Sequence, residues 1–124
     1  MELKITFTGI SKINAATFTT KIILEQKVDL IVNVGSVGVF TRELFGKAFY
    51  VSSVIERDMN CEPLASRGKV PYQNIPSELI LNKSGVKVAT GDSFLKNSEP
   101  WLVENGIDAV DMELFAIEIG RAHV

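Results

Sequence analysis

The chain has 124 residues, 46% of them hydrophobic, and its 13 Lys and Arg against 15 Asp and Glu give a formal charge of −2. That is the size of a single domain with enough apolar side chains for a core, and its interspersed charges mark neither a nucleic-acid nor a membrane surface. The lone Cys61 can form no intrachain disulfide and suits a reducing, cytoplasmic setting; no apolar run nears the roughly 20 residues of a membrane span, and MELKITF alternates like a strand rather than reading as a signal peptide.

In chain order, Leu3, Ile5 and Phe7 alternate with polar neighbours up to Gly9, the pattern of a short half-buried strand. Ser11 or Asn14 can cap a following helix, in which Ala15, Ala16, Phe18, Thr19, Ile22, Ile23 and Gln26 fall at helical spacing. This predicts one stripe packed on a sheet, with Lys21, Glu25 and Lys27 in water. The run VDLIVNVG (28–35) is β-branched, nearly continuous and ended by glycine, as expected of a central parallel strand covered on both faces. FGKAFYVSSVIER (45–57) is a second strand region. Asp58–Ser77, with three prolines and little periodicity, is a long loop of the kind that serves a site or an interface. GVKVAT (85–90) is a further strand, Ser98–Asn105 a short amphipathic helix around Trp101 and Leu102, IDAV (107–110) a strand, and Asp111–His123 a helix with Asp111 and Glu113 in its first turn.

Three places can carry chemistry. Asn33-Val34-Gly35-Ser36-Val37-Gly38 follows a strand, and its glycines let backbone N–H groups approach a ligand beside the Ser36 hydroxyl; the same glycines can equally serve only the turn. The spacing is neither a dinucleotide fingerprint nor a P-loop. In Thr90-Gly91-Asp92-Ser93-Phe94, Asp92 and Ser93 fit turn and cap roles, while Phe94 is either core or a ring that stacks on a flat ligand. Asp111 and Glu113 suit the dipole of a helix start; a Glu just past a buried strand also suits two hydrogen bonds from vicinal ribose hydroxyls, with Met112 as an apolar wall. Cys61 reads as an inert thiol, because the only histidine, His123, sits beside the C-terminus with no third group in view. Arg42, Arg57 and Arg67 read as solvated surface, with anion binding as the other option.

TGISKINAA, VDLIVNVGSVG, ERDMN, TGDSFL and VDMELFAIE, in that order, resemble the purine nucleoside phosphorylase and nucleosidase superfamily, above all its methylthioadenosine/S-adenosylhomocysteine nucleosidase branch. The likeness implies an α/β fold, a three-layer α/β/α sandwich with a mixed sheet, here incomplete, over residues 1–124 as one domain. It also implies a homodimer or larger homo-oligomer, a purine nucleoside as small-molecule partner, and no cofactor or metal. Ser36 and Gly38 match the turn lining the pocket, Phe94 and Leu95 the base-contacting segment, and Met112 and Glu113 the ribose-binding pair. The implied activity is hydrolysis of the N-glycosidic bond of an adenine nucleoside such as methylthioadenosine or S-adenosylhomocysteine. The alternative is a remnant that binds a nucleoside or pairs with another subunit without catalysis. Relatives usually carry a catalytic Glu in a strand and loop before the segment matching Lys4–Thr8, and a base-protonating Asp beyond the helix matching Asp111–His123. The expectation is therefore a truncated or degenerate member with its catalytic acid unassigned. Ser11 stands where glycine is usual, and Leu114-Phe115 replaces small residues, which is expected to narrow the pocket or repack the helix.

Overall fold

The computed structural model describes residues 2–122. Its elements are α1 (Lys12–Glu25), β1 (Gly38–Val39), β2 (Val51–Glu56), β3 (Glu78–Ile80), β4 (Val86–Thr90), α2 (Pro100–Glu104), β5 (Ala109–Asp111) and α3 (Leu114–Ala122). The strands form one mixed sheet in the order β1-β5-β4-β2-β3. The central strands β5, β4 and β2 run parallel, and β1 and β3 pair antiparallel at the edges.

The runs that form the centre are β-branched and small, which suits strands covered on both faces. Side chains alternate across the sheet. Val54, Val88 and Ala109 pack with Leu114 and Phe115 of α3 on one face. Ile55, Ala89 and Val110 pack with Leu102 and Ile107 on the other, where Trp101 of α2 also lies. Helices on opposite faces make the three-layer α/β/α arrangement. Leu114 and Phe115 are therefore core residues that fill the sheet–helix interface rather than bulk beside a pocket.

Several expectations are corrected. Residues 2–9 and 28–37 form no strand, and among the described residues neither segment is paired into the sheet. Leu30, Val32 and Val34 are 75%, 72% and 88% exposed, because the sheet ends at the two-residue β1 and offers this run no neighbour on either side. An apolar run specifies a central strand only where two flanking strands exist to satisfy its backbone. Within the segment Ile31 packs inward, against Ala15, Ala116 and Ile117, and Val37 packs on the cluster around Val54, Val88 and Ala109. Helix α1 lies on α3 rather than on the sheet, through Ala15 and Thr19. The 45–57 region is strand only from Val51, and the short β3, which pairs with β2, was not anticipated. Asp111 and Glu113 precede α3 instead of occupying its first turn. The 58–77 loop is free of strand and helix as expected, whereas His123 lies outside the described residues.

Candidate functional site at the carboxyl edge of the sheet

Because β2, β4 and β5 are parallel, their carboxyl ends share one edge, and their register sets Glu56, Thr90 and Asp111 side by side as the last residue of each strand. All three fall on the α3 side, continuing the alternation from Val54, Val88 and Ala109. Thr90 Oγ1 donates to Asp111 Oδ1 at 2.5 Å and accepts from Phe115 N at 3.0 Å. Asp111 Oδ2 accepts from Glu113 N at 3.2 Å and Leu114 N at 2.7 Å. Asp111 thus satisfies N–H groups that open α3, the service a carboxylate performs best at a helix start.

The start of α1 docks on this edge. Lys12 Nζ bridges Glu56 Oε1 at 2.5 Å and Asp58 Oδ1 at 2.7 Å. Lys12 N donates to Asp92 Oδ1 at 2.8 Å, and Asp92 N to Asp58 Oδ2 at 2.8 Å. Partial burial of the ammonium works against its charge, but Asp58 and Glu56 outweigh it and hold Lys12 above the ordinary lysine value. Burial likewise opposes the Asp58 carboxylate, and the Lys12 and Asp92 N–H bonds overcome it and hold Asp58 below the usual range.

Glu113 is half-buried, and its Oε1 accepts the Ser11 backbone N–H at 3.0 Å. A carboxylate offers about four acceptor positions over its two oxygens, so this bond anchors the group and leaves capacity for further donors. Met112 is half-buried beside it. Gly38 pairs with Val110 in the β1–β5 ladder, which brings the exposed Ser36 to the same edge as Asp111–Glu113. A Cβ on Gly38 would come within 3.2 Å of Val110 Cγ2, so glycine allows this close pairing. Phe94 is 91% exposed, with its ring presented to solvent rather than packed as core. Leu95 packs on the α2-side cluster. Ser36, Gly38, Met112 and Glu113 are thus gathered at one edge, with Phe94 and Leu95 on the segment leaving β4.

The sequence missed the arginines. Arg57 is 2% exposed, not solvated. Its Nη1 donates to Ser93 Oγ at 3.1 Å, and its Nη2 donates to Gly91 O at 3.1 Å and to Ser93 O. Arg67 donates from Nε to Arg57 O at 2.7 Å and from both terminal nitrogens to the Glu99 carboxylate, and its guanidinium lies 4.3 Å from the Trp101 ring centroid. The Arg67 hydrogen bond, despite some burial, holds Glu99 below the ordinary carboxylate value. Arg42 is exposed. Sequence alone could not find these ties, because the acceptors of Arg57 are mostly backbone carbonyls that every residue carries. Among the described residues no group of three or more His, Cys, Asp or Glu is arranged to hold a metal ion, and no helix is long and apolar enough to cross a membrane.

Solved structures share this architecture. Futalosine hydrolase of Helicobacter pylori superimposes with a TM-score of 0.81 at 17% identity, over 94% of this chain and 58% of its own. A nucleosidase from Neisseria meningitidis in complex with methylthio-immucillin-A gives 0.78 at 22% identity, over 94% and 60%. The fold is that of the nucleoside phosphorylase/nucleosidase superfamily. Its sequence is similar to 5′-methylthioadenosine/S-adenosylhomocysteine nucleosidases. It is 29% identical to that of Bacillus velezensis over all of this chain and 60% of the relative, and 30% identical to that of Bacillus subtilis over 94% and 57%. The chain thus spans somewhat under two thirds of the length of these curated relatives. No family model matches the sequence.

Proposed function

We propose that the chain carries the nucleoside-binding edge of a nucleosidase that hydrolyses the N-glycosidic bond of an adenine nucleoside, with methylthioadenosine and S-adenosylhomocysteine as the first substrates to try. The observation that carries this reading is the Glu113 carboxylate. It is anchored by Ser11 N at a parallel-sheet carboxyl edge, has acceptor capacity to spare, and has Met112 as its neighbour. Ligands of open α/β sheets bind at that edge. Glu113 accepts the ribose hydroxyls and steadies the positive charge that grows on the sugar as the base departs. Ser36 and Gly38 line the sugar side, while Phe94 and Leu95 meet the purine. The names of the relatives and the methylthio-immucillin-A bound in the Neisseria structure support the substrate class. We further assign a single domain over 1–124, a cytoplasmic setting and a homodimer, the last supported by the exposed apolar segments.

A second reading, binding without hydrolysis, is favoured by one observation. Two carboxylates at the same edge already have partners: Asp111 holds Thr90 and α3, and Asp92 holds Lys12 N. We assign the role of base-protonating acid to no residue.

The test is free-base release by chromatography from methylthioadenosine, S-adenosylhomocysteine, adenosine and inosine, with and without phosphate. Adenine release independent of phosphate, cut about 10²-fold or more in Glu113→Gln, is expected. Binding with no release from any substrate would establish the second reading. Failure of every nucleoside to bind would refute both.

A further inference from the structure

Arg57 is a buried cation whose two terminal nitrogens both point into one short segment. Nη1 reaches Ser93 Oγ, and Nη2 reaches the carbonyls of Gly91 and Ser93. Among the described residues no carboxylate hydrogen-bonds it, although Glu99 is near enough to feel its charge, and its Nε is buried without a hydrogen-bond partner. A buried charge is costly unless its hydrogen-bonding groups are occupied, so an arginine held by neutral carbonyls is an expensive way to fill space. The site is shaped for it. A Cβ on Gly91 would lie 2.7 Å from Arg57 Cζ and 2.9 Å from Nε, so only glycine admits the guanidinium.

Arg57 is itself fixed from both sides. Its N–H donates to Thr90 O at 2.8 Å, which extends the β2–β4 ladder by one residue, and its carbonyl receives Arg67 Nε. Arg67 is tied in turn to Glu99 and stacked on Trp101. The held segment continues directly into Phe94, which is 91% exposed and, among the described residues, belongs to no core cluster, before Leu95 packs on the α2 side.

We propose that Arg57 is a positioning residue: it clamps residues 91–93 so that Phe94 and Leu95 are presented in a set geometry at the carboxyl edge. That Phe94 meets a purine rests on the nucleosidase reading above. The clamp itself does not, so the two are tested by different readouts.

The first readout is amide hydrogen exchange on the unliganded protein, comparing wild type with Arg57→Lys and Gly91→Ala. Lysine keeps the charge but cannot span three acceptors, and the added methyl displaces the guanidinium. Exchange over 91–95 is expected to rise at least about tenfold in both variants, while β2 and β4 remain protected. Unchanged exchange over 91–95, or a rise spread evenly over the sheet, would overturn the clamp. The second readout is kinetic. KM for methylthioadenosine is expected to rise about tenfold or more in Arg57→Lys with kcat within about threefold, as when binding alone is lost. A fall in kcat at unchanged KM would also overturn it. If wild type neither binds nor cleaves any nucleoside, the nucleosidase reading fails and the exchange result alone decides the clamp.

Discussion

Ser11 sits at φ 94°, ψ 157°, a backbone region that is essentially reserved for glycine, and its side chain makes no capping hydrogen bond to α1. The cost of this conformation is on the order of 1–3 kcal/mol for a residue with a Cβ. What holds it there is the edge itself: Ser11 N is pinned to Glu113, and the adjoining Lys12 N to Asp92. Ser11→Gly is therefore expected to stabilise the chain by about 1 kcal/mol and raise Tm by a few degrees, with no capping interaction lost. Differential scanning calorimetry checks this, and an unchanged or lower Tm would count against strain at this position. The serine was visible in the sequence as a departure from glycine. That it is strained was not, because the φ angle is set by contacts 80 and 102 residues away.

At the scale of elements, Lys12 joins α1 to the ends of β2 and β4, and the direction of its pKa fixes the pH window of that joint. Asp58 is lowered in the folded chain, so its contribution is present above its unfolded value of about 3.8 and lost as pH falls below it. Lys12 is raised, so its contribution is present below about 10.5 and lost as pH rises through the folded value. Glu78, lowered chiefly by the Ser53 hydroxyl, and Glu99, lowered chiefly by Arg67, add to the acid side. Urea midpoints are expected to be level between about pH 5 and 9, and to fall below pH 4 and above pH 10.5. Asp58→Asn should make the acid fall shallower, and an equally steep fall would remove Asp58 from the account. On the other face, Leu102 is fully buried in the short α2, which Pro100 starts in its first turn. Leu102→Ala should cost about 2–5 kcal/mol in equilibrium denaturation, since so short a helix is held by its packing rather than by its own turns. Strands β2, β4 and β5 were legible because local pattern and tertiary environment agree in them. The 28–35 run carries an even stronger pattern and forms no strand, since pattern specifies a buried strand only together with its neighbours. The amphipathic face of α1 was legible too, but nothing in it says whether a sheet or another helix receives it. Ser36, Gly38, Phe94, Leu95, Met112 and Glu113 are proposed as site residues from ordered motifs, whereas Arg57, which touches one of those motifs, has partners 34 and 36 residues away that no motif marks.

Over the whole molecule, segments 2–9 and 28–37, which join no strand, leave Leu3, Ile5, Phe7, Leu30, Val32 and Val34 largely in water. Exposed apolar runs with unpaired backbone invite pairing between chains. Sedimentation velocity is expected to show self-association that grows with concentration and weakens in Val32→Lys/Val34→Lys. A single monomeric species at all concentrations would show that these segments do not associate. The edge where Glu113 sits has a different consequence, which concerns the order of events during folding. Its bonds are closed by residues from opposite ends of the chain: Lys12 reaches Glu56 and Asp58 over 44 and 46 residues, Asp92 over 80, and Ser11 reaches Glu113 over 102. The β4–β5 ladder joins residues only about 21 apart, as at Thr90 and Asp111. Closing the longer loops costs more chain entropy and is rewarded only once the sheet exists to receive α1. The carboxyl edge should thus assemble after the folding barrier, and substitutions there should speed unfolding while leaving the rate of folding nearly untouched.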